Sequence, residues 1–187
     1  MVDLVGPNFA EPAAGDLALI SRPIDFLGVN YYTRQVVRAG RPGDLADTAD
    51  VRMPGEHTAM GWEVYPAGLT EVLLRLHKEY QVAALYVTEN GAAFEDEMRP
   101  AQGGEPEGVA DSRREAYLRA HLMAAYEAIQ AGAPLRGYFA WSLMDNFEWS
   151  HGFSKRFGLI HTDYATQQRT IKQSGRWYGR VVAENGV

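Results

Sequence analysis

Three short apolar runs, each followed by a long polar stretch and then a segment of helical periodicity, constrain this chain more than any other feature. Ile24 to Tyr32 (IDFLGVNYY) is rich in β-branched and aromatic residues and reads as a buried strand. Ala83 to Thr88 (AALYVT) and Gly137 to Leu143 (GYFAWSL) read the same way. Strand, loop and helix in threefold succession imply right-handed crossovers and a parallel sheet. Strands apolar on both faces imply a sheet covered on both sides. Two architectures satisfy this pattern: an open doubly wound sheet, or a segment of a (β/α)8 barrel. Both place their sites at strand carboxyl ends, where the three long loops begin.

The intervening helices are marked by their ends. Pro66 opens the first, where a missing N–H costs nothing, and Leu69, Val72, Leu73 and Leu76 form its apolar face. Ser112 and Glu115, three apart, predict a capping box for the second. Its apolar face runs through Leu118, Leu122, Ala125 and Ile129, and Gly132 stops it. A last helix covers about residues 173 to 183. No repeat, low-complexity tract or linker divides the chain, so residues 1–187 read as one domain.

Composition excludes several function classes. The net charge is −6, and no basic patch exceeds two consecutive residues, as at Lys155-Arg156, so nucleic acid is not an expected partner. With no cysteine, disulfides, thiolate metal sites and cysteine nucleophiles are ruled out. His57, His77, His121, His151 and His161 fall at no metal-binding spacing, and Gly103-Gly104 follows no strand, so neither a metal nor a phosphate loop is expected. Met1 to Pro7 carries no basic-then-apolar secretory pattern, and no apolar run nears the roughly 20 residues that span a bilayer. The expectation is a soluble cytoplasmic protein with no membrane partner and no cofactor.

The strand ends hold the candidate chemistry. Asn30 and Tyr32, two apart, face the same way; from these letters alone a locally capped strand end is the favoured explanation over a site. Glu89 stands at the mouth of the second apolar run, where a carboxylate is costly unless solvated, paired or useful. The third strand end reads Trp141-Ser142-Leu143-Met144-Asp145-Asn146-Phe147-Glu148-Trp149. Indoles stack on the apolar faces of pyranose rings and carboxylates take hydrogen bonds from hydroxyl pairs, so this segment resembles a sugar site. Core packing accounts for Phe139 and Phe147 but explains Glu148 beside Trp149 poorly.

The segments DFLGVNYYT (25–33), MGWEVYPAGL (60–69), LYVTENGA (85–92) and GYFAWSLMDNFEWSHGFSKRFGL (137–159) resemble glycoside hydrolase family 1, the β-glucosidase family, in collinear order. The resemblance implies a partial (β/α)8 TIM barrel, an α/β fold comprising strands six to eight with their helices. It implies a retaining mechanism in which Glu89 is the nucleophile and Tyr32 its hydrogen-bonding partner. Asn30 then lines the pocket, Trp141 forms its aromatic floor, Glu148 and Trp149 grip sugar hydroxyls, and Phe157 lies near the exocyclic hydroxymethyl group. The implied substrate is a β-linked glucoside or related small glycoside. It is unphosphorylated, because the branch acting on 6-phosphosugars carries Ser and Tyr where this chain has Glu148 and Phe157. The family uses no cofactor.

The chain departs from the family pattern in one large respect. It has no Asn-Glu-Pro, the motif carrying the acid/base Glu, and lacks the strand-one Gln and strand-three His-Trp of the sugar pocket. A closed barrel takes about 250 residues. The expectation is therefore a carboxyl-terminal part whose open sheet edges favour a complementary amino-terminal half or self-association. Two other readings compete: a non-catalytic carbohydrate-binding remnant using Trp141, Trp149 and Glu148, and an unrelated doubly wound hydrolase using Ser150 and His151. The second lacks a G-x-S-x-G elbow.

Overall fold

The computed structural model describes residues 10–41, 47–100 and 108–186. Met1 to Pro7 and Gly103-Gly104 lie outside these. In chain order the elements are α1 (Asp16–Ile20), β1 (Leu27–Asn30), β2 (Val37–Ala39), β3 (Thr48–Asp50), α2 (Ala67–Tyr80), β4 (Leu85–Asn90), β5 (Glu97–Arg99) and β6 (Gly108–Ala110). They continue with α3 (Ser112–Gln130), β7 (Leu135–Ala140), a 3-10 turn (Trp149–His151), β8 (Ile160–Thr162), β9 (Arg169–Ile171) and α4 (Gln173–Glu184). The three apolar runs become one parallel sheet of order β1-β4-β7. Leu27 pairs with Leu85, Val29 with Val87, and Val87 in turn with Tyr138. Among the described residues the sheet has these three strands and does not close.

Strand limits differ from the apolar runs for a physical reason. β7 starts at Leu135 and ends at Ala140, because the chain beyond it bonds elsewhere. Ser142 and Leu143 accept hydrogen bonds from Leu159 and Ile160 (2.9 and 3.0 Å) on the returning segment. β4 likewise runs two residues past Thr88, carrying Glu89 and Asn90 within the strand. Each of the three loops, featureless in sequence, contains an antiparallel hairpin: β2–β3, β5–β6 or β8–β9.

Cover lies on one face of the sheet, not on both. Val29, Leu85 and Val87 pack with Leu69 and Leu73 of α2 and with Ala124, Ala125 and Ala128 of α3. The opposite face leaves Phe26 and Phe139 52% and 57% exposed. A continuous apolar run reports only that a strand has two apolar sides, not that a second layer meets both.

The capping box also gives way. Asp111, not Ser112, is the N-cap of α3, and its carboxylate accepts from the Ser174 N–H (2.8 Å), the Ser174 hydroxyl and the Arg114 guanidinium. Glu115 accepts from Gln173 (3.0 Å) instead of returning to the cap. Both acidic groups thus tie α3 to α4. Gly132 follows the helix at φ 98°, in the left-handed conformation expected of a helix stop. The buried stripe of α3 runs through Arg114, Tyr117, Leu118, His121, Ala124, Ala125 and Ala128, while Ile129 is exposed. No described helix is long and apolar enough to cross a membrane.

His121 gives the stripe a pH dependence. Its Nδ1 lies 2.8 Å from the Tyr117 carbonyl, which can only accept, so Nδ1 carries the proton and the buried Nε2 has no partner. Burial pushes the imidazole down to about 4, from an ordinary value of 6.5, despite the opposing hydrogen bond to Tyr117. A base with a depressed folded pKa contributes stability that is intact above its unfolded pKa and disappears as pH falls toward the folded value. Between pH 7 and 4 the fold is therefore expected to lose about 3 kcal/mol through this group, at 1.36 kcal/mol per unit. Urea unfolding across that range checks it, and His121→Phe should remove most of the slope.

Candidate active site

The mouth of the sheet is built by a bulge in β4. Val87 pairs with Tyr138 and Asn90 with Ala140, so two residues of β4, Thr88 and Glu89, stand opposite the single residue Phe139 of β7. Asn90 turns its side chain into the core and is fully buried. Glu89, its neighbour, accepts a hydrogen bond at 2.6 Å from the Tyr32 hydroxyl. Burial, followed by the Glu89 bond and its charge, holds the Tyr32 phenol well above its usual range, so Tyr32 remains a donor. Asn30, at the end of β1, accepts from the Thr88 hydroxyl at 2.7 Å.

Gly91 explains why the turn after Glu89 needs glycine. A Cβ there would collide with the Trp141 carbonyl oxygen. Trp141 itself donates its N–H to the Asn90 carbonyl (2.8 Å), joining the two strand ends. Phe157 is buried and stands edge-on to Tyr32 with ring centroids 6.2 Å apart. Glu148 is also buried and adds negative charge to the surroundings of Tyr32. Trp149, in contrast, sits in the 3-10 turn at 82% exposure.

The structure thus brings Tyr32, Glu89 and Phe157 together, with Glu148 close by and Asn30 and Trp141 on the adjoining strand ends. Trp149 projects from the rim. One residue missed in the sequence is Trp62, whose ring lies 5.4 Å from Tyr32 and 6.2 Å from Phe157. It lies inside the GWEVYP segment, and an aromatic beside Glu63 was its only signal. Arg34 makes a two-pronged bond to Glu63 (2.9 and 3.0 Å) beside it. Ser150 and His151 are both exposed and share no hydrogen bond, so no nucleophile–base pair forms there.

Beneath the site lies a buried charge cluster that the sequence did not announce. Lys172 is fully buried, with its Nζ 2.8 Å from Asp96 and 2.8 Å from Asp145. Arg114 adds a bond to Asp96 (3.2 Å), Arg156 one to Asp145 (2.6 Å), and His161 one to Asp96 (2.9 Å). Asp96, Asp145 and His161 converge closely enough to hold a cation. The Lys172 ammonium already lies against both carboxylates, so the donor set is occupied by the chain's own charge. Its members come from the loop after β4, the loop after β7 and the starts of α3 and α4, and they brace the loops that carry the site.

A parallel α/β sheet thus presents a phenol-held carboxylate and aromatic rings at its carboxyl edge. The chain belongs to glycosyl hydrolase family 1, whose model matches residues 6–187. It is 46% identical over 172 residues to β-glucosidase A of Thermotoga maritima, a match covering 92% of this chain and 37% of that protein. It is 46% identical over 185 residues to a bifunctional β-D-glucosidase/β-D-fucosidase of Bifidobacterium breve, covering 92% of this chain and 40% of that one. Among solved structures, the Thermotoga maritima family 1 β-glucosidase superposes with a TM-score of 0.84 over 92% of this chain and 37% of its own. The same enzyme in complex with glucoimidazole matches at 0.88, with 43% identity, over 100% of this chain and 40% of its own. The chain therefore spans about two fifths of the length of these relatives, and its open three-stranded parallel sheet with helices is a partial α/β fold.

Proposed function

We propose that this chain supplies the nucleophile side of a retaining β-glycosidase site, with its strands β1, β4 and β7 standing as strands six to eight of the barrel. The observation that carries this reading is the 2.6 Å bond from Tyr32 to Glu89 at the mouth of β4. In the reaction, a Glu89 oxygen forms a bond to the anomeric carbon as the glycosidic C–O bond breaks. The resulting glycosyl-enzyme is then hydrolysed by water. Tyr32, donating to the carboxylate, holds it aimed. The other catalytic group, a general acid placed about 5–5.5 Å from the nucleophile in retaining enzymes, protonates the departing oxygen. No Asn-Glu-Pro occurs in these residues, so that acid is assigned to none of them.

The substrate class follows from the pocket. The rings of Trp62 and Tyr32, backed by the buried Phe157, offer stacking surface, and Glu148 offers a hydroxyl acceptor that would repel a 6-phosphate. An unphosphorylated β-glucoside fits best. The domain is a partial one under this reading, and the uncovered sheet face with its exposed Phe26 and Phe139 is the surface a complementary amino-terminal half or a second copy would cover. A second reading, sugar binding without turnover, is favoured by the exposed Trp149 indole on the rim.

Incubation with 2-deoxy-2-fluoro-glucosyl fluoride, followed by peptide mass spectrometry, separates the two. Fluoride departs without a general acid, so the probe reads Glu89 alone. An adduct on the peptide containing Glu89 is the expected result, and light scattering on the same sample gives the mass of the labelled assembly. Saturable binding of glucose with no adduct would replace catalysis with the second reading.

A further inference from the structure

Resting on the nucleophile assignment above, we propose that Tyr117 is a positioning residue whose hydroxyl, reaching from α3, joins the two backbone segments bearing Tyr32 and Glu89 and so sets the aim of the carboxylate. The hydroxyl donates to the Tyr32 carbonyl at 2.9 Å and accepts from the Asn90 side-chain amide at 3.2 Å. Among the described residues it is the one side-chain group bonded both to Tyr32, which holds the nucleophile, and to Asn90, which follows the nucleophile.

Every proton in this linkage has one available place. The Tyr31 and Tyr32 carbonyls can only accept. Asn90 therefore points its Nδ2 at the Tyr31 carbonyl (2.7 Å) and at Tyr117, and turns its Oδ1 to the Tyr138 hydroxyl. The amide is fully buried and both its ends are used. Anchoring Asn90 on the helix side drives the preceding residue, Glu89, to the open face, since successive strand residues alternate. The Glu89 carbonyl in turn accepts from the Tyr31 N–H at 2.9 Å. The Tyr117 ring has little freedom to swing away, because it stacks on His121 at 3.9 Å and His121 bonds back to the Tyr117 carbonyl. Nucleophile and phenol are thus held from behind by the same hydroxyl, although neither touches it through its own side chain.

The test is Tyr117→Phe, which removes the hydroxyl and keeps the ring, compared with Ala128→Gly, which weakens the same helix away from the strand ends. Two readouts are taken at a temperature where circular dichroism shows all variants folded. In inactivation by 2-deoxy-2-fluoro-glucosyl fluoride, Tyr117→Phe is expected to lower the labelling rate constant by roughly 10- to 100-fold, the scale of a misplacement of about 1 Å. The half-saturating concentration should stay unchanged, and Ala128→Gly should label normally. The second readout needs no reactivity: the Tyr32 hydroxyl proton, assigned by its loss in Tyr32→Phe, is followed by proton NMR. Tyr117→Phe should shift or abolish that resonance while Ala128→Gly retains it. Failure of the wild-type chain to label would count against the nucleophile reading, and the NMR comparison would still decide the linkage. An unmoved Tyr32 resonance in Tyr117→Phe overturns the proposal, as does labelling at the wild-type rate.

Discussion

Glu89→Gln is expected to eliminate covalent labelling and to lower glycosidase turnover, in whatever assembly displays it, by on the order of 10⁴-fold or more, as loss of a nucleophile does elsewhere. The amide matches the carboxylate in shape and still accepts from Tyr32, so the 2.6 Å contact and the surrounding packing survive. What disappears is the charge and the oxygen lone pair that attacks the anomeric carbon. Thermal unfolding should therefore be nearly unchanged while labelling stops. Turnover at the wild-type rate in this variant would remove Glu89 from the reaction and leave the phenol–carboxylate pair as a structural bond.

Lys172→Met should have the largest effect on stability, about 3–5 kcal/mol, because it strands two buried carboxylates. Lys172 lies against both Asp96 and Asp145 at 2.8 Å, and methionine fills much of its volume without its charge. Arg114 and Arg156 remain but are already engaged. Acid titration gives an independent check. Burial alone would push Asp96 up, yet Lys172 and Arg114, with the His161 hydrogen bond, outweigh it and hold the carboxyl below its usual range. A carboxyl with a lowered folded pKa contributes stability that is complete above its unfolded pKa and is lost as pH falls through the folded one. Without Lys172 that loss should begin at a higher pH. Denaturant midpoints measured down to pH 3 would show it, and wild-type acid sensitivity in the variant would mean that Arg114 alone compensates for Asp96.

The three strand–helix units were legible because periods of 2 and 3.6 residues survive in the letters. Pro66 and Gly132 bounded their helices as expected. Glu89 and Tyr32 were legible through motif resemblance, which also implies the hydrogen bond found between them. Other features depend on pairings that no local pattern encodes. The end of β7 is decided by the returning residues Leu159 and Ile160, which claim Ser142 and Leu143. No local pattern singles out Asp111, yet Ser174, distant in sequence, gives its carboxylate a use and displaces the capping box. Asp96, Asp145 and Lys172 are ordinary surface letters until the loops after β4 and β7 fold onto one another. The hairpins of the loops are short, largely exposed strands such as Val37–Ala39 and Glu97–Arg99, with no apolar alternation to betray them.

The one-sided cover of the sheet separates what holds this chain together from what it meets. Leu69, Leu73, Leu85, Val87 and Ala128 supply cohesion on the helical side, and none of them belongs to the pocket. Asn30, Phe139 and Trp149 lie where substitution disturbs little packing. Such a division means that a substitution on the open face should change what the chain meets at little cost in folding stability, whereas one on the helical face should cost stability first.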